Sequence, residues 1–182
     1  MNKKTIGAIV ALCTIFIVAF TAFIVWNYQI SSWNEEEIKE FLLQNEDDFT
    51  MLAQQIYDES NDGMEWYKNR GQLSQKGINS DLFWRFKVGS IACWKNSKFD
   101  ECDEVEITFA GTLDAENRRN HYYEWGIYYS PSNEMIGYAG HHIKWEDGEQ
   151  ESYEYKPENQ RSHYYTERIC DKWFFFKQGE WN

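Results

Sequence analysis

The twenty residues from Ile6 to Val25 carry no charge and consist mostly of Ile, Val, Ala and Phe. A helix rises about 1.5 Å per residue, so this run matches the roughly 30 Å of a bilayer's hydrocarbon core. Trp26 and Tyr28 follow at the place of an aromatic belt, and Lys3 and Lys4 precede it. The run has no polar face, which disfavours a core helix of a soluble protein. A cleavable signal peptide has an apolar region of about 7–15 residues and ends in small side chains. Here a cut after Ala22 meets bulky Phe20, a cut after Thr21 leaves Phe23, Ile24 and Val25 on the mature end, and Leu12 is too large beside a lipidated Cys13. The segment is therefore expected to stay as a signal anchor. Residues 1–28 form a cytoplasmic tip and a single transmembrane helix, and residues 29–182 form one domain outside the cytoplasm, at the cell membrane.

Charge narrows the partners of that domain. The formal net charge is −12, and the two lysines before the anchor do not belong to the domain, which is more negative still. Nucleic acid and anionic lipid would be repelled, while a cationic partner is compatible. Aromatic residues make up 18% of the chain and only two prolines occur, a composition that favours a sheet-rich fold over disorder. No Asn-x-Ser/Thr acceptor is present, as suits a bacterial envelope protein.

Periodicity gives the order of elements. Ile38, Phe41, Leu42, Phe49, Leu52 and Ile56 recur at helical spacing. Ser32 stands three residues before Glu35, the spacing of a capping box. Asn45 and Asp48 can start a second helix, so residues 33–59 read as one helix or two, ended by Asp62-Gly63. Residues 64–80 read as a loop with a short helical or strand piece. The period then falls to 2: Leu82, Trp84, Phe86 and Val88 alternate with Phe83, Arg85 and Lys87, and Val105, Ile107 and Phe109 with Glu104 and Glu106. If these runs pair, Arg85 and Lys87 meet Glu104 and Glu106 on a wet face.

The stretch from Tyr122 to Trp145 reads as a further hairpin about Pro131-Ser132-Asn133-Glu134. Its pairing sets Tyr128 opposite Gly137, Trp125 opposite Gly140, and Glu124 opposite His141. Tyr123, Trp125, Ile127 and Tyr129 then face the core. A last hairpin joins Ser162–Ile169 to Trp173–Lys177, with an exposed loop and an edge strand before it. The fold class is thus α+β: an amphipathic N-terminal helix, or two, packed on a five- to six-stranded antiparallel meander. In broad plan this resembles cystatin-like and NTF2-like domains, a likeness of architecture that implies no function.

Chemistry is sparse. Cys93 and Cys102 bracket the connection between two predicted strands, where a disulfide outside the cytoplasm would pin the loop; Cys170 is the competing partner. His141 and His142 point to opposite faces of a strand and do not share one ion. No metal, cofactor or hydrolase motif is present, so no catalytic residue, metal site or cofactor is assigned. The aromatic and polar residues left off the core, Tyr122, Glu124, Tyr128, His141, Tyr153, Tyr155 and Tyr164, are the candidate interaction face. The leading function is a non-catalytic protein-binding module, of an envelope-component or toxin-neutralising type. Binding of a glycan or cell-wall polymer through Tyr and Trp is the alternative, and a hydrolase using Glu124 and His141 the third. A concave aromatic trough would favour a glycan, a flat apolar patch with an acidic rim a protein, and a buried carboxyl of raised pKa in a cleft an enzyme.

Overall fold

The computed structural model describes residues 14–21, 34–79, 88–96, 103–109, 121–140, 143, 151–157 and 162–181. The chain divides into two compact units, Met1–Ser32 and Trp33–Asn182. In the first, residues 14–21 are helical. Ile15, Phe16, Ile17, Val18 and Phe20 are all exposed, and the Thr21 hydroxyl donates to the Ile17 carbonyl at 2.6 Å. Most of the expected anchor lies outside the described residues. Among those described, no helix is long and apolar enough to cross a membrane.

The second unit begins with helices α1 (Glu35–Gln44) and α2 (Glu46–Glu59). The capping box is built by Asn34 and Glu37 rather than Ser32 and Glu35. Asn34 Oδ1 accepts from the Glu37 amide at 3.0 Å, and Glu37 Oε2 accepts from the Asn34 amide at 2.9 Å. The helical pattern breaks into two at Asn45. Its side chain makes no cap for α2; instead its amide donates back to the Phe41 carbonyl at 2.8 Å.

Residues 64–80 resolve into strand β1 (Gly63–Tyr67) and the short helix α3 (Arg70–Gln75). Then follow β2 (Val88–Lys95), β3 (Glu104–Phe109), β4 (His121–Tyr129), β5 (Ser152–Tyr155), β6 (Ser162–Cys170) and β7 (Trp173–Trp181). The sheet therefore has seven strands, not five or six. All its pairings are antiparallel, in the order β1-β2-β3-β4-β7-β6-β5. The meander stops at β4, after which the chain passes to the far edge and returns through β6 to β7.

That order overturns the expected hairpin of β4 with residues 134–142. β4 pairs with β3 on one side and with β7 on the other, setting Tyr128 opposite Glu106 and Phe174 and Trp125 opposite Lys177. The reason lies in side chains. Trp173, Phe174, Phe175 and Phe176 are almost wholly buried and serve both faces of a central strand. Residues 134–140 offer two glycines and a backbone that turns at Gly140 with φ 75°, which suits a crossing segment better than a strand. The glycine socket exists, but at Gly126: a Cβ there would meet the Ile107 carbonyl oxygen at 2.3 Å and the Phe176 ring at 3.0 Å.

Helices α1 and α2 cover one face of the sheet. Ile38, Leu42, Phe49, Leu52 and Ile56 pack there with Ile91, Val105, Ile107, Ile127, Tyr129, Trp173 and Phe175. Phe49 sets its ring edge-on to Phe109, Phe41 and Trp173. Cys93 belongs to this core. It stands opposite Val105 and Glu65 and has a free, buried thiol among the described residues. Cys102 itself lies outside the described residues. Cys170 is also free.

Candidate functional site

Strand alternation sends Met64 and Trp66 of β1, Trp94 of β2, Glu104 and Glu106 of β3, and Glu124 and Tyr128 of β4 to the face away from the helices. Phe174, Phe176 and Gln178 of β7 join them, with Tyr164 and Thr166 of β6. The segment after β4 folds over part of this face. Met135 and Ile136 bury against Tyr128, Tyr164, Phe174 and Phe176. The Tyr128 hydroxyl fixes that segment: it accepts from the Ile136 amide at 3.0 Å and meets the Thr166 hydroxyl at 2.9 Å. Tyr164 adds a hydrogen bond to the Ile136 carbonyl at 3.1 Å.

Beside this covered part the sheet face stays open as a pocket of about 280 Å³. Its walls are aromatic, from Trp66, Trp94, Tyr128, Tyr164 and Phe176, and three carboxylates, Glu104, Glu106 and Glu124, reach into it. Across the sheet, Ala92 lies between Trp66 and Glu106 in the register. Met64 and Trp66, on the edge strand, are the exposed lip, each about half accessible.

The electrostatics of the pocket are one-sided. No basic residue is among the described residues that line it. Burial drives the Glu106 carboxyl well above the ordinary carboxylate range, and the nearby charges of Glu104 and Glu124 push it further the same way. Its residue surface is not fully closed, and no hydrogen bond among the described residues acts to lower its carboxyl. Burial likewise raises the Tyr128 and Tyr164 phenols, so both rings stay neutral at physiological pH. Glu124 accepts a 3.3 Å hydrogen bond from the Gln178 amide. Among the described residues no group of three His, Cys, Asp or Glu is placed to hold a metal ion.

The predicted interaction face is partly gathered here and partly dispersed. Glu124, Tyr128 and Tyr164 line the pocket. Tyr128 and Tyr164 are buried walls, 1% and 8% accessible, rather than solvent-facing rings, because residues 134–140 cover them. Tyr153 and Tyr155 pack beside this second cluster, and Tyr155 stacks on Tyr138 at 4.5 Å. Tyr122 pairs with Glu180 in β4 and β7, but its side chain lies outside the described residues, as does His141. The expected register of Glu124 against His141 does not hold, since Glu124 lies opposite Gln178; among the described residues a glutamate–histidine pair joins Glu154 to His163 at 2.9 Å.

Sequence reading missed Trp66, Trp94, Glu104, Glu106, Phe176 and Gln178. Glu104 and Glu106 were assigned to surface pairing with Arg85 and Lys87. In the sheet Glu104 lies across from Trp94 and Glu106 from Ala92, and residues 85 and 87 lie outside the described residues. The available signal was the Glu-x-Glu spacing on one strand with Glu124 on the next. Its weight depended on a covering segment that no local pattern announces.

Comparison with known proteins brings no relative to this site: no family model, no curated protein and no solved structure matches the chain.

Proposed function

We propose that the chain is an anchored binding module that presents its sheet outside the cytoplasm and recognises a protein partner at the acidic, aromatic-walled pocket. The observation that carries this reading is the pocket itself: three carboxylates in one aromatic concavity, with Trp66 and Met64 exposed at its lip. Residues that serve only the fold bury aromatic rings and keep carboxylates in water; here the two are brought together on the open face. The anchoring half of the reading is supported by the uncharged run from Ile6 to Val25 and by the outward-facing apolar side chains of residues 14–21.

The test is capture by the full-length chain of partners from envelope and secreted fractions, run beside a Trp66→Ala variant. A protein held by the parent chain and released by the variant is the expected result. Capture of nothing by the parent chain overturns the reading. Protease added to intact cells is expected to digest the domain; protection would overturn the topology.

Two other readings draw support from the same place. Indole rings beside carboxylates also suit a glycan, whose rings stack and whose hydroxyls donate. A carboxyl held protonated beside two others also suits a general acid, which moves the hydrolase reading from Glu124 and His141 to Glu106. Glycan capture, or turnover lost on Glu106→Gln, would favour them in turn.

A further inference from the structure

We infer that the pocket on the open sheet face receives a lysine or arginine side chain of the partner, its charged end among Glu104, Glu106 and Glu124. This rests on the protein-binding reading and specifies its chemistry.

In its ionised form a carboxyl accepts hydrogen bonds and does not donate them, so an occupant that draws Glu106 into that form must bring donors. Glu106 is partly buried at the pocket wall, and its neighbours in the pocket include two further acids. A neutral donor supplies hydrogen bonds but does not offset the nearby charges that disfavour an ionised Glu106; a cation does both at once. The walls fit the same occupant. Faces of Trp, Tyr and Phe attract an ammonium or guanidinium within about 6 Å. Met64 and Ile136 offer apolar contact for an aliphatic stem, which long basic side chains use while their heads stay polar. The protein already uses this chemistry: Lys95 lies 5.0 Å from the Tyr57 ring centroid, and at the pocket's own lip Lys68 lies 4.9 Å from that of Trp66.

Size discriminates further. Sites for drug-sized ligands run about 300–1,000 Å³, and this pocket, at about 280 Å³, accommodates one side chain better than a run of sugar rings. Its lip lies on β1, the edge of the sheet, where a partner segment can approach without displacing a strand. The net charge of −12 draws basic surfaces toward the domain and accelerates their encounter.

The experiment titrates the full-length protein with N-acetyl-lysine methylamide and N-acetyl-arginine methylamide. The norleucine analogue and glucose are run in parallel, and the indole N–H resonances of Trp66 and Trp94 are followed by NMR. Saturable shifts with the two cationic amides, at least about tenfold tighter than with norleucine, are expected from charge-assisted hydrogen bonds. Glu106→Gln, which keeps the shape of the side chain, is expected to weaken the cationic amides about tenfold or more. Equal binding of norleucine, preference for glucose, or an unchanged affinity in Glu106→Gln overturns the inference. These failures are separable from failure of the binding-module reading: a partner still captured through Trp66 while the amides fail leaves a protein-binding site whose occupant is not a basic side chain.

Discussion

Glu65 on β1 and Glu106 on β3 belong to one sheet and point to opposite faces. Both are drawn upward in pKa by burial; what differs is what surrounds them. On the helix side, Glu65 is met by Lys76, by the Tyr67 hydroxyl at 2.5 Å and by Asn61. These donors outweigh burial and bring its carboxyl down to about 2. On the open side, Glu106 meets Glu104 and Glu124, and its carboxyl goes up. The same residue type is thus a structural tie on one face and a group crowded by like charge on the other.

The comparison can be broken most forcefully on the helix face. Phe49→Ala removes the ring at the centre of the core and is expected to cost about 3–5 kcal/mol in urea unfolding; a loss below about 1 kcal/mol would mean that α2 does not seal that face. On the open face, Tyr128→Phe deletes a hydroxyl that holds the Ile136 amide and Thr166. It is expected to cost about 1–3 kcal/mol, and an unchanged unfolding midpoint would show that the covering segment is held by other means.

The two glutamates sharpen the contrast with opposite signs. Glu106→Gln is expected to raise stability near neutral pH, on the order of 1 kcal/mol. In the parent chain the unfolded state gives up this proton first, so the contribution of Glu106 declines as the pH rises above the ordinary value of 4.5. Glu65→Gln is expected to lower stability by about 1 kcal/mol, discounted because the site is partly open to solvent. Its contribution is complete above pH 4.5 and is lost as the pH falls from there through about 2. Unfolding curves of both variants from pH 3 to pH 8 read the two signs directly. Stability that rises with pH in the parent chain but not in Glu106→Gln would reverse the assignment of Glu106.

Local pattern determined a good deal of this protein. Helical spacing from Ile38 to Ile56 named side chains that do enter the core, and the alternation in β3 named Val105, Ile107 and Phe109 as buried. The hairpin of Ser162–Ile169 with Trp173–Lys177 was legible as two β-type runs, and the structure turns it at Asp171-Lys172, where Lys172 adopts φ 61°. Such features depend on neighbours a few residues away, and the sequence displays them. Which strands lie side by side depends on burial summed over the whole domain. The aromatic run of β7 took the place beside β4 that the nearer segment 134–142 was expected to fill, because a central strand needs large side chains on both faces. That choice freed the segment to cross the open face, buried Tyr128 and Tyr164, and turned Glu104, Glu106 and Glu124 from surface charges into the lining of a pocket. The sequence by itself determined which residues are apolar, where the chain turns and how acidic it is. The tertiary structure alone decided which acids lose their water, since desolvation and like-charge crowding are set by what is packed around a carboxyl.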